Sequence, residues 1–466
     1  MSKNIKVRNI RNEYRHSFVC NFFVIAAIMT LAVIFPTVST ISQNTMIALC
    51  VIEGGLMMTF MFMLEKYSIT ISGYYECSLI ALLSSGFTLV LMCFVNMLFL
   101  HSLEKLFLDL ILFVAKTLGI MIIDLIILAI LNNKKKFKKP SLLILASETN
   151  NFSRMKRIKY GVLNNYDSWY ENTDEMSDDD FFKFIEDNFP KYDAVCVLDG
   201  LKDSYYHRIV SAAMKVNKDL FIVPELIDVG KTNAHIVRFD DVLTLYMPES
   251  KISPVERFLK RAMDIVLSVV GLIVAAIPML FIALAIKITS PGPIFYKQRR
   301  LTIHRKEFDI YKFRTMIPDA EKLSGPKFAE KDDPRITKIG KILRSCRLDE
   351  LPQIFNILKG DMSVVGPRPE RPVFVEQFEK EIENYDYRFE VKAGLTALSH
   401  VYGRYSTYIH DRTYYDLFYI MHYSLLLDIK IILLTAKTMF LKSAAEGEDD
   451  FKEKNVAKSE SEVIHN

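Results

Sequence analysis

Two acids stand side by side at Asp349 and Glu350, inside Arg344-Ser-Cys-Arg-Leu-Asp-Glu-Leu-Pro-Gln353, and Gly366-Pro-Arg368-Pro369 follows after a short interval. Upstream lie Gly292-Pro-Ile-Phe-Tyr-Lys-Gln-Arg299 and Phe308-Asp-Ile-Tyr-Lys312-Phe-Arg314-Thr-Met316; downstream lie Gly394-Leu-Thr396, Gly403-Arg404, Asp416 and Asp428. Many cations around a few acids suit phosphate handling, because a guanidinium fork matches phosphate oxygens in pairs. If a phosphoryl group moves between two phosphate-bearing molecules, both substrates are anionic, and the site must neutralise several charges with arginines and a divalent metal. One carboxylate can then attack phosphorus and form an acyl phosphate, while its neighbour holds a metal or handles a proton. Successive side chains on a helix diverge by about 100°, so the pair reaches one metal only from a helix end or turn. Pro352 fits a first helical turn and places Leu348-Asp-Glu-Leu351 at such a start, beside positive helix-end amides. An Asp-Glu pair alone is common on solvated helix starts; the nearby arginines and the apolar helix upstream are what give it chemistry.

The elements that must hold these groups are partly membrane-embedded. The chain has 466 residues, enough for roughly two to four domains. Its long apolar runs fall in the first 131 residues and around 264–286. Spans are expected at 18–36, 45–64, 78–100 and 107–131, each near the ~20 residues that cross the hydrocarbon. Lys3, Lys6, Arg8, Arg11 and Arg15 precede the first, Lys134-Lys-Lys-Phe-Lys-Lys139 follows the last, and Thr37 to Gln43 is uncharged, so both ends of the bundle are expected in the cytoplasm. Met1 to His16 is expected to stay on the protein, since the first run lacks a cleavage pattern. Glu53, Lys116 and Asp124 lie inside these spans; three scattered groups make no relay, and structural pairing is expected rather than a transport path. The block Asp264 to Ile286 has basic flanks on both sides, Arg257, Lys260 and Arg261 before it and Lys287, Lys297, Arg299 and Arg300 after it. A full crossing would break the positive-inside bias, and Pro278 removes a backbone donor, so a helix that enters, breaks near Ala276-Ile277-Pro278 and returns to the same side is expected.

Residues 140–250 alternate short apolar strands (Leu142 to Ala146, Ala194 to Leu198, Leu220 to Val223) with helices (Phe181 to Asn188, Tyr205 to Val216), which argues for a parallel sheet. The turn after its first strand, Ser147-Glu-Thr-Asn-Asn-Phe152, lacks the glycines a pyrophosphate needs, so the module reads as a degenerate Rossmann-like scaffold or regulatory unit. Residues 444–466 are rich in Glu, Lys and Ser and are expected to be disordered. The division is therefore 1–139 four-span bundle, 140–250 cytoplasmic α/β module, 251–443 re-entrant helix with a mainly α catalytic domain, and 444–466 tail. The net charge of +4 is small for this length and argues against nucleic acid. The six cysteines form no C-x-x-C pair and read as small hydrophobes.

The run Arg344-x-x-x-x-Asp349-Glu350-Leu-Pro-Gln-x-x-Asn356-x-x-x-Gly360-Asp-Met-Ser-x-Val-Gly-Pro-Arg-Pro369 resembles the signature of the bacterial polyprenyl-phosphate sugar-1-phosphate transferases, the monotopic phosphoglycosyl transferases that begin exopolysaccharide, capsule and O-antigen assembly. The resemblance covers about Val255 to Leu441, and the spans and α/β module resemble the long-form members. It implies a nucleoside-diphosphate sugar as donor, undecaprenyl phosphate as acceptor, UMP as product, Mg²⁺ as cofactor and an inner-membrane location with the catalytic domain cytoplasmic. It implies Asp349 as nucleophile, Glu350 assisting at the metal or activating the acceptor phosphate, Arg344 and Arg368 on phosphate, and Arg404 and Asp416 near the nucleotide sugar. Lys312 and Arg314 join the substrate-binding candidates, and Pro278 marks the helix break. A homo-oligomer and polysaccharide-assembly proteins are the expected partners. Three stretches depart from the family pattern: Ile277 precedes Pro278, Ala393-Gly-Leu-Thr-Ala397 replaces Pro-Gly-Ile-Thr-Gly, and His400 stands where glutamine is usual. The contrasting function is a membrane scaffold or regulator of polysaccharide assembly; a transporter is weaker still.

Overall fold

The computed structural model describes residues 10–34, 41–66, 74–133, 141–146, 167–173, 176–198, 201, 203–216, 218–223, 235–239, 242–246, 252–317, 335–382, 384–403 and 409–439. Arg404, the Ser147 to Phe152 turn and the 444–466 tail lie outside them. The chain divides into two compact units, Met1–Glu225 and Leu226–Asn466.

The first unit begins with helices α1 (Ile10–Ile34), α2 (Gln43–Met63), α3 (Tyr74–Val95, extended by a π turn, Asn96–Leu100) and α4 (Leu103–Asn133). The stretches Gln43–Met63, Tyr75–Leu100 and Leu103–Ile127 are long and apolar enough to cross a membrane, while the apolar part of α1, Ser17–Val33, is shorter. Ile25, Met29, Met57, Met61, Ala81 and Ile120 form the bundle core. The intramembrane charges are paired, as expected of structural contacts. Lys116 bonds Glu53, Lys66 meets Asp124 at 2.5 Å, and Lys105 bonds Asp109 and lies 3.8 Å from Glu53. Burying such charges is tolerable only in pairs.

The α/β module carries β1 (Ser141–Ala146), β2 (Asp167–Asn172), α5 (Asp178–Asn188), β3 (Ala194–Val197), α6 (Asp203–Val216) and β4 (Asp219–Ile222). All neighbours in the sheet are parallel, in the order β2-β1-β3-β4. Leu143, Leu145, Val195 and Val197 pack beneath Phe181, Ile185, Tyr205 and Ile209 of the two helices. The strand β2 escapes a pattern search because Asp-Ser-Trp-Tyr-Glu-Asn carries few apolar residues. Residues 226–250, assigned to this module from sequence, contain the antiparallel hairpin β5 (His235–Phe239) and β6 (Val242–Tyr246) and group with the second unit.

The second unit is built on one long helix, α7 (Pro254–Thr289). A capping box fixes its start: the Ser253 hydroxyl accepts from Glu256 N–H and the Glu256 carboxylate accepts from Ser253 N–H. Pro278 lies inside the helix without ending it, so the expected break at Ile277-Pro278 is not a break in helical structure. The remaining helix neighbours suffice to hold the turn despite the missing proline donor. Lys260, Asp264, Ser268, Ala275, Met279 and Ile286 are buried at helical spacing, whereas Ile273, Val274, Ile277, Leu280, Phe281, Leu284 and Ile288 are exposed. One stripe of α7 therefore rests on the domain and the opposite apolar face is left for lipid. Both ends are tied to the same body. Lys260 reaches Asp428 near the start, and Ile286 packs in a cluster with Phe313, Leu343 and Ile354 near the end. By length and composition α7 is also long and apolar enough to cross a membrane.

The rest of the domain follows in order: β7 (Phe295–Leu301) pairs antiparallel with β8 (Glu307–Phe313), then α8 (Lys338–Ser345), α9 (Gln353–Lys359), β9 (Ser363–Val365), α10 (Pro372–Glu381), β10 (Gly394–Thr396), α11 (Leu398–Tyr402), α12 (Ile409–Met421) and α13 (Leu425–Met439). The short strands β9 and β10 run parallel. A side chain at Gly394 would meet Gly366 N at 2.1 Å and one at Gly366 would meet the Lys392 carbonyl at 2.3 Å, so both glycines permit this close approach.

Candidate active site

Local structure places the acidic pair on a turn. Helix α8 ends at Ser345, Arg347 adopts the left-handed conformation (φ 53°), and Leu348–Glu350 form a single 3-10 turn leading into α9. Such a conformation costs a non-glycine residue about 1–2 kcal/mol, and it reverses the chain so that the acids sit at a helix approach, as the proline spacing requires. The turn is anchored from below: Asn356 donates to the Asp309 carbonyl at 2.8 Å and accepts from Tyr311 N–H at 2.9 Å, binding α9 to β8. Arg261 of α7 donates to the carbonyls of Ile357 and Leu358 at 2.6 and 2.7 Å, closing the far end of α9.

The strand β8 then delivers Lys312, whose Nζ lies 2.7 Å from Glu350 Oε1. Arg300, Lys312, Glu350, Gln353, Arg368 and His400 line one small cleft, with Gly394 and Leu395 at its wall. Arg368 donates to His400 Nε2 at 3.0 Å. A guanidinium has only donors, so Nε2 accepts and the imidazole proton resides on Nδ1. Burial, with Arg368 and Arg347 nearby, holds His400 well below the usual imidazole range and therefore neutral.

The two acids are driven apart electrostatically. Burial and the adjacent Glu350 charge push Asp349 up, with Lys312 and Arg344 opposing. Burial also acts against the Glu350 charge, yet Lys312 and Arg368 hold its carboxyl far below the usual range. Neighbouring carboxylates with opposite shifts are a common signature of divided roles. Glu350 is held as an anion by Lys312 at 2.7 Å; the Asp349 carboxylate accepts a backbone hydrogen bond within its own residue, with Lys312 and Arg344 nearby. Arg344 presents a buried Nη1 without a hydrogen-bond partner, as a group awaiting an anion would.

The donor set fits a magnesium ion. No group of three or more His, Cys, Asp or Glu side chains gathers among the described residues. Mg²⁺ needs no such cage, since it keeps several waters and uses one or two carboxylates together with substrate phosphates.

Two candidates, Arg314 and Asp416, are buried in contacts away from the cleft lining; Asp349 and Arg344 adjoin the cleft without lining it. Arg314 is buried and donates to the Ser290 and Pro291 carbonyls at 2.8 Å each, capping α7 rather than facing the cleft. Asp416 is fully buried against Arg388 at 2.8 Å and lines no part of the cleft. Asp416 was placed with substrate by the family resemblance and Arg314 by its place beside Lys312; neither signal shows burial. Arg300 and Gln353 were missed as lining groups. Alternation along β7 could have found Arg300: Tyr296, Gln298 and Arg300 are half-buried while Lys297 and Arg299 are exposed.

Comparison with known proteins bears on the whole of this domain. Residues 255–442 match the family model described as bacterial sugar transferase. A Bacillus subtilis (strain 168) protein named "Putative undecaprenyl-phosphate N-acetylgalactosaminyl 1-phosphate transferase" is 50% identical over 131 residues, covering 28% of this chain and 72% of that relative. The chain belongs to the bacterial sugar transferase family. Within the family it is also 42% identical over 190 residues (40% of this chain, 45% of the relative) to the UDP-N-acetylgalactosamine-undecaprenyl-phosphate N-acetylgalactosaminephosphotransferase of Aeromonas hydrophila. It is 34% identical over 260 residues (54% and 55%) to the UDP-glucose:undecaprenyl-phosphate glucose-1-phosphate transferase of Escherichia coli (strain K12). The chain thus spans about half the length of these two curated relatives. In this family member the matched region holds α7 from its second residue onward and every residue of the cleft.

Proposed function

We propose that the protein transfers a sugar 1-phosphate from a UDP-sugar to undecaprenyl phosphate, releasing UMP, as the first membrane step of exopolysaccharide, capsule or O-antigen synthesis. The observation that carries the proposal is the acidic turn: Asp349 beside an ionised Glu350, among Lys312, Arg344 and Arg368, on a domain whose one long helix offers an apolar face to lipid. A soluble donor and a lipid acceptor can meet only at such an interface.

In the first half-reaction an Asp349 carboxylate oxygen attacks the phosphorus that bears the sugar. The bond from that phosphorus to the bridging oxygen breaks, UMP leaves with the oxygen, and the sugar phosphate remains as an acyl phosphate on Asp349. In the second, an oxygen of undecaprenyl phosphate attacks the same phosphorus and Asp349 leaves as carboxylate. Neither step requires a net proton transfer, which suits a site with a fixed anion and a neutral imidazole. Arg344 and Arg368 neutralise the phosphates and orient them for in-line attack. Asp349 and Glu350 would hold Mg²⁺, which supplies charge neutralisation on the phosphate oxygens. The basic flanks of the spans favour a bacterial inner membrane setting with the catalytic domain in the cytoplasm, where nucleotide sugars are made. A homo-oligomer and polysaccharide-assembly proteins are the proposed partners of the N-terminal unit.

The test presents full-length protein in nanodiscs with undecaprenyl phosphate and a panel of UDP-sugars, following UMP release and the mass of the lipid product. One sugar 1-phosphate added to the lipid by wild type, with Asp349→Asn inactive, supports the proposal. Near-normal turnover by Asp349→Asn removes Asp349 from the nucleophile role.

A further inference from the structure

Behind the Gly366–Pro369 loop lies a buried layer of charge that no step of the transfer uses. Arg388 is 2% exposed and Asp416 is 1% exposed. One nitrogen, Arg388 Nη2, donates to Asp416 Oδ2 at 2.8 Å and to the Arg368 backbone carbonyl at 3.0 Å, while Nη1 donates to the Tyr385 hydroxyl. One residue further along, Arg300 Nη1 donates to the Pro369 carbonyl at 3.0 Å and lies 3.6 Å from Glu370. Two successive carbonyls of the loop are thus each gripped by a different guanidinium, and each guanidinium is countered by a buried acid. On its other side the loop is tied to β10, where Gly366 N–H donates to the Thr396 carbonyl at 3.0 Å and Gly394 N–H to the Pro367 carbonyl at 2.9 Å.

We infer that Arg388 is a positioning residue that acts through Arg368: by holding the Arg368 carbonyl against a buried carboxylate, it fixes the backbone from which the Arg368 side chain reaches the cleft beside Glu350. Burying a guanidinium and a carboxylate gains little stability over apolar packing, but a planar fork serves a carbonyl, a carboxylate and a hydroxyl at once with its orientation fixed. A phosphate-binding arginine whose backbone is held this way is set before its ligand arrives, which lowers the ordering cost of binding. Asp416 and Tyr385 orient Arg388. The inference rests on the phosphate-transfer reading of the cleft.

The experiment compares Arg388→Lys, Arg368→Gln and the double variant in full-length protein in nanodiscs, with kcat and KM for the UDP-sugar. Lysine keeps the charge but not the fork. Arg388→Lys should lower kcat/KM about 10- to 100-fold, and the double variant should be no worse than Arg368→Gln alone, because the two changes remove one function. Losses that multiply would overturn the inference and make Arg388 a support of the fold independent of Arg368. Amide hydrogen exchange across 363–370, faster in Arg388→Lys and unchanged elsewhere in the domain, reads the same effect without activity; an unchanged loop would also overturn it. If Arg388→Lys fails to fold, Asp416→Asn, which keeps an oxygen acceptor for Arg388, should retain activity that Asp416→Leu loses. Equal retention by both substitutions would count against the inference. Full turnover by Arg368→Gln would instead defeat the phosphate role of the cleft itself, a distinct outcome.

Discussion

Replacing Lys260 with methionine should cost the catalytic unit about 3–5 kcal/mol, the usual penalty for leaving a buried charge without its partner. Lys260 Nζ meets Asp428 Oδ2 at 2.6 Å, the Val365 carbonyl at 3.0 Å and the Tyr419 hydroxyl at 3.0 Å, and Asp428 is 0% exposed. Only Tyr419 would remain to satisfy the stranded carboxylate, through its 2.8 Å bond to Oδ1. A pair replaced as a unit should be far less harmful, so Lys260→Met with Asp428→Leu should recover more than half of the loss. The pH dependence has a definite sign. Burial already raises the Asp428 carboxyl in the folded protein, and Lys260 is the first group opposing that rise. Without Lys260 its folded-state pKa climbs further above the unfolded value. Such a group contributes stability at low pH that is lost as pH rises through the folded pKa. The deficit of Lys260→Met should therefore be largest near neutrality and narrow as pH falls. The assay must report on the correct unit: the single tryptophan, Trp169, lies in β2 of the α/β module, so its fluorescence follows the other unit. Amide exchange over β9 and α13 reads the affected contacts directly. A deficit independent of pH, or a double variant as unstable as the single one, would refute the pairing.

Lys312→Met should move the acid limb of kcat/KM to higher pH, because Lys312 is the first cation lowering Asp349 and its loss also leaves the Glu350 charge balanced by fewer cations; a limb that moves down or stays fixed contradicts the assignment of Asp349 as the group that must be ionised. Arg314→Met should lower thermal stability by about 2–4 kcal/mol through two lost charge-assisted hydrogen bonds at the end of α7, while KM for the nucleotide sugar stays within about twofold as measured on folded protein. A large rise in KM with unchanged stability would return Arg314 to the substrate.

Much of this was written in periodicity and local spacing. The apolar runs mark the spans, the βαβ alternation marks the parallel sheet, and Leu348-Asp-Glu-Leu-Pro marks the turn, because each signal is confined to a few neighbouring residues. Pairings across long separations were not legible. Lys260 reads as a basic flank of an apolar block, yet its partner Asp428 lies 168 positions away. Arg314 stands two residues from Lys312 on or just after the same strand, but β8 ends at Phe313 and the chain turns Arg314 toward α7 instead of the cleft. Asp416 shows the same limit, since only its burial against Arg388 separates support from contact. In the bundle, Glu53, Lys116 and Asp124 stood out as isolated charges, while Lys66 and Lys105 fall just outside the expected spans and Asp109, inside the fourth, was passed over.

The central claim, a covalent sugar phosphate on Asp349, is tested most directly by intact-protein and peptide mass spectrometry after mixing the full-length protein with UDP-sugar in the absence of undecaprenyl phosphate. The account predicts one added sugar phosphate on the peptide containing Asp349, discharged when the lipid acceptor is supplied and absent from Asp349→Asn. A protein that turns over with acceptor while never carrying the adduct, or that carries it on another residue, would contradict it.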